Sequence, residues 1–206
     1  CHSQMTAVVI ARGLQDFSRF IDALPELATE AAYLAINDTS RAAVPLIKSE
    51  MRKQINFPNG YLNKQRLDVR RKATRVTLEA VISGRDRPTS LARFAEGATP
   101  ENSRRRPIFV RVHAGQQKRL QKAFIVRLKN NNLGLAIRLP KGQEPDRAYK
   151  PVELTRGGGK GQGAWLLYGP SVDQVMQGVS GDVGDRISEA LAANFLRQFS
   201  RVSNRG

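Results

Sequence analysis

The sequence is poor in the residues that build disulfides, metal sites and stacking surfaces. Its 206 residues include one cysteine, Cys1, and two histidines, His2 and His113. An intramolecular disulfide, a cysteine-based metal site and a multi-histidine metal site within one chain are therefore excluded. Aromatic residues make up only 6% of the chain, so base stacking on single-stranded nucleic acid is not supported.

Long apolar runs are also missing. No segment approaches the roughly 20 apolar residues that a membrane-spanning helix needs, so no membrane partner is expected. The first residues carry neither a basic leader nor a long apolar stretch, so no signal peptide is expected. At 40% hydrophobic residues, the chain can still bury a core of its own.

Acidic residues are scarce beside basic ones, and the imbalance is regional. The chain has 34 Lys+Arg and 18 Asp+Glu, a net charge of +16. Residues 51–130 carry 20 basic and 5 acidic side chains, whereas residues 1–50 carry 4 and 6. So dense a positive charge exceeds what solubility needs and would repel itself if unpaired. It predicts a polyanion or an acidic protein surface as the partner.

Hydrophobic periodicity predicts helices at both ends of the chain. Apolar side chains recur at spacings of three and four over residues 16–55, which predicts a short helix up to Leu24 and a longer one from Pro25. Pro45 is expected to kink or interrupt the longer helix near residues 39–44. A second helical region follows Ser171 to about Val202, but its glycines favour a firm start only near Asp182. One apolar stripe is predicted on this helix, formed by Val183, Ile187, Leu191, Phe195, Phe199 and Val202.

The middle of the chain predicts strands. Apolar and polar residues alternate over residues 73–83, and further strands are predicted at 108–112, 123–128 and 133–139. The asparagine-rich residues 129–132 predict a hairpin between the last two strands, because Asn tolerates a positive φ. A short helical or irregular piece is predicted over residues 90–94, and residues 164–168 form a short apolar piece.

This order predicts an α+β fold: a long or bent N-terminal helix, a small antiparallel β-sheet with long basic loops, and a C-terminal amphipathic helix. We expect a single domain over residues 1–206. Within it, residues 1–15 form an N-terminal arm, 16–55 a helical region, 66–168 the sheet and loops, and 171–202 the C-terminal helical region.

No motif of the sequence predicts catalysis. The GGGKGQG loop around Lys160 lacks the Ser or Thr that a phosphate-binding loop places after its lysine. His113 has no candidate orienting partner near it in sequence. Ser171 is followed by Asp173 where a hydrolase turn needs glycine, so we interpret it as a helix-entry residue. We expect no catalytic residue, no cofactor, no metal ion and no enzymatic activity.

Clusters of Lys and Arg are the strongest signal in the sequence. Without a nucleic-acid-binding motif, any contact with DNA is expected through phosphates and independent of base sequence. The candidate contacts to a protein partner or to DNA are Arg70, Arg71, Lys72, Arg104, Arg105, Arg106, Lys118, Arg119, Lys122 and Lys160. A solvated basic face is the alternative interpretation.

Short motifs spread over residues 16–180 resemble the minor tail protein Z family of tailed phages, the lambda-type tail completion proteins. They are SGRDRP at 83–88, LARF at 91–94, VRV at 110–112 with Gly115, AFIVRL at 123–128 and GLAIR at 134–138. Ala42 and Ala43, followed by the basic run, are similar to the start of the family. The most specific motif begins at Leu167 and continues through Tyr168, Gly169, Pro170, Ser171 and Val172. The loop at residues 156–163 looks like an insertion.

The resemblance implies a structural virion protein that completes the tail or joins it to the DNA-filled head. The implied partners are further copies of the chain in a ring, the tail tube or tail terminator, and the head–tail connector. A hexamer would match the sixfold symmetry of a tail, and DNA in the axial channel is a further candidate partner. The implied location is the tail or neck of the virion, and the host cytoplasm during assembly. A nonspecific nucleic-acid-binding protein that grips phosphates is the alternative.

Overall fold

The computed structural model describes residues 7–9, 25–102, 106–140, 142–143, 152–153 and 162–204. The fold is α+β, with a long helix near each end and small antiparallel sheets between them. The helices are α1 (Pro25–Gln54) and α2 (Val172–Ser203), with a 3-10 turn at Leu91–Phe94. The strands are β1 (Ala7–Val9), β2 (Leu67–Arg71), β3 (Val81–Gly84), β4 (Thr89–Ser90), β5 (Ile108–Val110), β6 (Lys118–Leu120), β7 (Ala123–Arg127), β8 (Leu133–Pro140), β9 (Val152–Glu153) and β10 (Gln162–Gly169).

These elements belong to two compact units, each built from separate stretches of chain. The first unit takes in Cys1–Met51, Leu62–Asp86 and Asp173–Gly206. It contains most of α1, nearly all of α2 and a three-stranded antiparallel sheet in the order β1-β3-β2. The second unit takes in Arg52–Tyr61 and Arg87–Val172 and contains β4 to β10.

Helix α1 begins at Pro25, as predicted, because proline fixes a helical φ and needs no hydrogen bond in the first turn. The predicted short helix before it lies outside the described residues. The predicted interruption of the helix near residues 39–44 was wrong, because α1 runs without a break past Pro45 to Gln54. Pro45 has no backbone N–H, so α1 loses one hydrogen bond there. Its ring is exposed, and the nearby residues Ala43, Val44 and Ile47 stay buried.

Helix α2 follows Ser171 directly, so the expectation of a firm start only near Asp182 was wrong. The glycines lower helix propensity, but Val172, Val175, Met176 and Val179 are buried in the first turns. Burial of a whole apolar stripe outweighs about 1 kcal/mol per glycine. The predicted stripe is confirmed further on, where Phe199 is half-buried and the fully or nearly fully buried residues are Val183, Ile187, Leu191, Phe195 and Val202.

Polar contacts join α1 and α2 within the first unit. The Asp38 carboxylate accepts hydrogen bonds from Gln198 Nε2 at 2.6 Å and from Arg197 at 3.1 Å. One turn of α2 earlier, Asn194 Nδ2 donates to the buried Thr39 hydroxyl at 2.8 Å. These bonds fix how the two helices align, because each partner is lost if one helix slides along the other.

The strand predicted over residues 73–83 was wrong for most of its length. Pairing in this region is between β2 and β3, with a bulge between Val69 and Arg71. Residues 74–77 turn instead, with the Thr74 N–H donating to the Thr77 carbonyl at 2.8 Å, and Val76 is 95% exposed. The Asn37 side chain on α1 binds both backbone groups of Ala73, at 2.8 and 2.9 Å, and so holds the chain out of the ladder.

The second unit contains the predicted hairpin. Strand β7 pairs with β8 from Ala123↔Ile137 to Arg127↔Leu133, and Asn131 has the positive φ of 64° that the turn requires. The sheet order is β4-β10-β8-β7, with β9 also on β10. The apolar piece at residues 164–168 is therefore part of a strand. Strands β4, β6 and β9 had not been predicted.

Candidate functional site

The predicted contact residues fall into three groups. In the first unit, exposed side chains at the end of β2 are Arg70, Arg71 and Lys72. In the second unit, exposed side chains around β5 and β6 are Arg106, Lys118, Arg119 and Lys122. Arg104, Arg105 and Lys160 lie outside the described residues. The structure therefore gives one basic surface in each unit.

The basic surface of the first unit is neutralised in part by its own neighbours. Arg71 forms an ion pair with Glu79 across from it, and Arg75 pairs with Glu30 on α1 at 2.5 Å. Arg70 lies in the bulge and donates to the Gln65 carbonyl at 2.8 Å. Such a bulge with basic side chains is typical of protected edge strands. The contacts of Arg71 and Arg70 thus contribute to the edge of the sheet.

The basic surface of the second unit is different, because its cations have no carboxylate partner among the described residues. We call β5, β6 and Lys122 the basic strand pair. Lys118 lies opposite Val110, and Arg119 lies opposite Phe109. Directly opposite residues of an antiparallel pair share a face, so Arg119 stands beside the ring of Phe109, which is 37% exposed. Arg119 and the Phe109 ring are thus offered to solvent on one face, and Lys118, on the other face opposite Val110, is exposed as well.

Strand β5 also makes backbone hydrogen bonds along the edge that does not pair with β6, and these bonds fix the position of the basic strand pair. The Phe109 carbonyl accepts from Glu96 N at 3.2 Å, and Arg111 N donates to the Phe94 carbonyl at 2.9 Å. On the inner face, Ile108 and Val110 are only 2% and 3% exposed. The strand pair is therefore anchored by apolar burial and by two backbone bonds.

A cleft of about 580 Å³ lies beside β5 in the second unit. Arg93 and Arg111 line it with one acidic side chain, Glu96, which pairs with Arg111 at 3.1 Å. Arg93 lies over the Tyr61 ring at 5.2 Å from its centroid, a cation–π contact. The cleft had not been predicted, because its wall combines residues 56–58 with residues 93–96 and 111–117. Nothing in one sequence shows that these stretches meet.

Asn56 fixes one wall of the cleft. Its side chain donates to the His113 carbonyl at 3.0 Å and to the Arg111 carbonyl at 3.3 Å. Its own N–H donates to the Val112 carbonyl at 2.8 Å. His113 is exposed and takes part through its backbone, in a bridge with Ile55. The geometry gives its imidazole no orienting partner among the described residues.

The most specific family-like motif occupies the end of β10 and the start of α2. Tyr168 pairs with Ser90 and Gly169 with Thr89, so this motif lies beside the two residues that immediately precede LARF. A side chain at Gly169 would place its Cβ 3.2 Å from the Phe94 ring. The close approach of this ring to the backbone therefore favours glycine at the position. Pro170 follows it, Ser171 is buried, and Val172 is fully buried as the first residue of α2.

The described residues do not bring together a catalytic or metal-binding set. They contain no group of three His, Cys, Asp or Glu side chains placed to hold a metal ion. The pKa of Glu101 is lowered chiefly by a hydrogen bond from the Thr99 side chain. Glu101 is fully exposed, so this is a local turn effect.

No family model, curated protein or solved structure matches this chain. Neither helix in the described part of the chain has the length and apolar character needed to cross a bilayer.

Proposed function

We propose that this chain is a structural virion protein of a tailed phage that acts in tail completion or head–tail joining. It forms a ring at the junction of tail and connector, and its neighbours are the tail tube or tail terminator and the connector. The observation that carries the proposal is the basic strand pair, where Lys118 and Arg119 are exposed without a carboxylate partner in the described part of the chain and Phe109 is partly exposed. Such a surface is suited to binding a large anionic or acidic neighbour.

The resemblance supports the same conclusion through the packing of its motifs. The strand exit before LARF and the Tyr168–Gly169 segment are far apart in sequence yet pair as β4 and β10. A Cβ at Gly169 would lie 3.2 Å from the Phe94 ring within LARF, so a larger residue there would require the ring to shift. The residues that carry the resemblance are thus mutually dependent in packing.

The proposal predicts that the protein is a stoichiometric part of finished particles. Mass spectrometry of purified virions and of tails separated from heads should find it in tails, at a copy number that fits a ring. An internal control is the ratio to a tail-tube subunit, which corrects for contamination from lysate. Absence from washed virions would refute the proposed function, whatever the oligomeric state of the isolated chain.

The second candidate function is nonspecific binding to nucleic acid through the basic strand pair. Cations without carboxylate partners favour it, since each one that meets a phosphate releases a counterion. On this hypothesis, affinity for duplex DNA falls steeply with salt and is independent of base sequence.

Alanine at Lys118, Arg119 and Lys122 tests that candidate. If each contacts one phosphate, the slope of log affinity against log salt becomes shallower by about 0.9 per residue. Fluorescence anisotropy with a labelled duplex at several salt concentrations measures the slope. The matched control replaces Arg41, Arg75 and Arg186, which already pair with Asp38, Glu30 and Glu50. Equal slopes for the two triple variants would show that the basic strand pair does not contact DNA phosphates.

A further inference from the structure

The outward side of α2 carries an acidic stripe in a strongly basic protein. Asp182, Asp185 and Glu189 are exposed, and their spacing of three and four puts them on one side of the helix. Leu196 continues this side and is 55% exposed. The buried stripe through Ile187 and Phe195 occupies the opposite side. We call Asp182, Asp185, Glu189 and Leu196 the acidic helix face.

The carboxylates of this face have no cation partner among the described residues, although α2 has three arginines. Arg186 reaches Glu50 on α1 at 3.4 Å, and Arg197 reaches Asp38 at 3.1 Å. Two of the three arginines of α2 are thus directed to α1. Asp185 and Glu189 stand one turn apart, where like charges destabilise an isolated helix. A cationic partner would relieve that repulsion.

The basic strand pair of the second unit has the complementary properties. Its charges are Lys118 and Arg119 with Lys122 beside them, and its exposed apolar group is Phe109. The acidic helix face offers three carboxylates and the exposed Leu196. Each surface therefore combines exposed charges of one sign with one exposed apolar side chain on the same element, and the two signs are opposite.

We propose that the acidic helix face of one copy binds the basic strand pair of the next copy. The inference rests on the proposed function, because it supplies the contact between neighbouring subunits of the ring. The contact is heterologous because two different surfaces meet. Repetition of such a contact gives a closed ring when the rotation from one subunit to the next adds up to a full turn. Opposite charges select the register, and Leu196 and Phe109 supply apolar burial.

Charge reversal on each surface tests the contact in the full chain. The acid-reversed variant carries Asp182→Lys, Asp185→Lys and Glu189→Lys. The base-reversed variant carries Lys118→Glu and Arg119→Glu. Sedimentation velocity at low salt should show assembly of the wild type, and at least about tenfold weaker assembly of each variant alone, because like charges then face each other.

An equal mixture of the two variants should assemble again. In an alternating arrangement, the lysine face of one variant meets the glutamate strand pair of the other, and the remaining contacts keep their original charges. Rescue by mixing also shows that both variants fold, and circular dichroism of each alone provides a second check. The matched control for the base-reversed variant is Lys64→Glu with Lys129→Glu, which makes the same change in net charge at other exposed sites and should assemble like the wild type.

The outcomes separate this contact from the proposed function. Folded variants that assemble as well as the wild type would overturn the contact and leave the ring proposal standing on other surfaces. Loss of DNA binding in the base-reversed variant with unchanged assembly would overturn the contact and favour the nucleic-acid alternative. A wild-type chain that stays monomeric at low salt also overturns the contact, and the virion measurement then decides the proposed function independently.

Discussion

Replacing Phe195 by alanine is expected to lower the free energy of unfolding by about 3–5 kcal/mol. Phe195 is the largest of the fully buried side chains, and its ring stacks on Phe199 at a centroid distance of 6.0 Å. Its removal deletes apolar contacts and leaves a cavity on the inward side of α2, and both effects destabilise the first unit. Denaturant unfolding followed by the helical circular dichroism signal measures the change.

The adjacent Leu196 is the control for that experiment. It is 55% exposed on the same helix, so Leu196→Ala should change stability by no more than about 0.5 kcal/mol. In the proposed ring it should nevertheless weaken assembly, because it removes an apolar group from the acidic helix face. Equal destabilisation by the two substitutions would contradict the orientation of α2.

Replacing Leu135 by alanine should destabilise the second unit by about 2–5 kcal/mol. Leu135 is fully buried in β8, where it lies opposite Ile125 of β7 and Leu167 of β10. The three side chains share one face of the sheet, so the cavity opens in the centre of that unit. Fluorescence of Trp165, the single tryptophan and a residue of β10, follows the transition in this unit.

Leu133 supplies the comparison on the same strand and the same face. It lies two residues before Leu135 and is 38% exposed, so Leu133→Ala should cost much less. A shift of the unfolding midpoint at Leu133 as large as that at Leu135 would contradict the difference in burial between the two side chains.

The elements predicted well are those whose signal is local. The stripe through Val183, Ile187 and Leu191 predicted which side of α2 is buried, because helical geometry brings such residues together in any context. The turn at Asn131 was predicted for a similar reason: few side chains tolerate its φ of 64°. Pro25 marked the start of α1 by its own covalent geometry.

The elements predicted poorly depend on partners far away in sequence. Alternation predicted a strand through Val76, but Asn37 on α1 binds the backbone of Ala73 and ends the ladder there. Strand β6 was missed because Lys118 and Arg119 carry no hydrophobic pattern, and β5 alone makes the segment a strand. Pairing energy between strands is a tertiary quantity that local propensity does not contain.

The charge of the chain likewise has one property that the sequence determines and another that only the fold determines. Composition alone established that basic residues are concentrated in residues 51–130, and therefore that an anionic or acidic partner is expected. It could not tell the neutralised Arg71 and Arg75 from the unpaired Lys118 and Arg119, because Glu79 and Glu30 reach the first pair through the fold. A net charge adds residue by residue along a sequence, whereas the free charge of a surface depends on which carboxylates lie within a few ångströms.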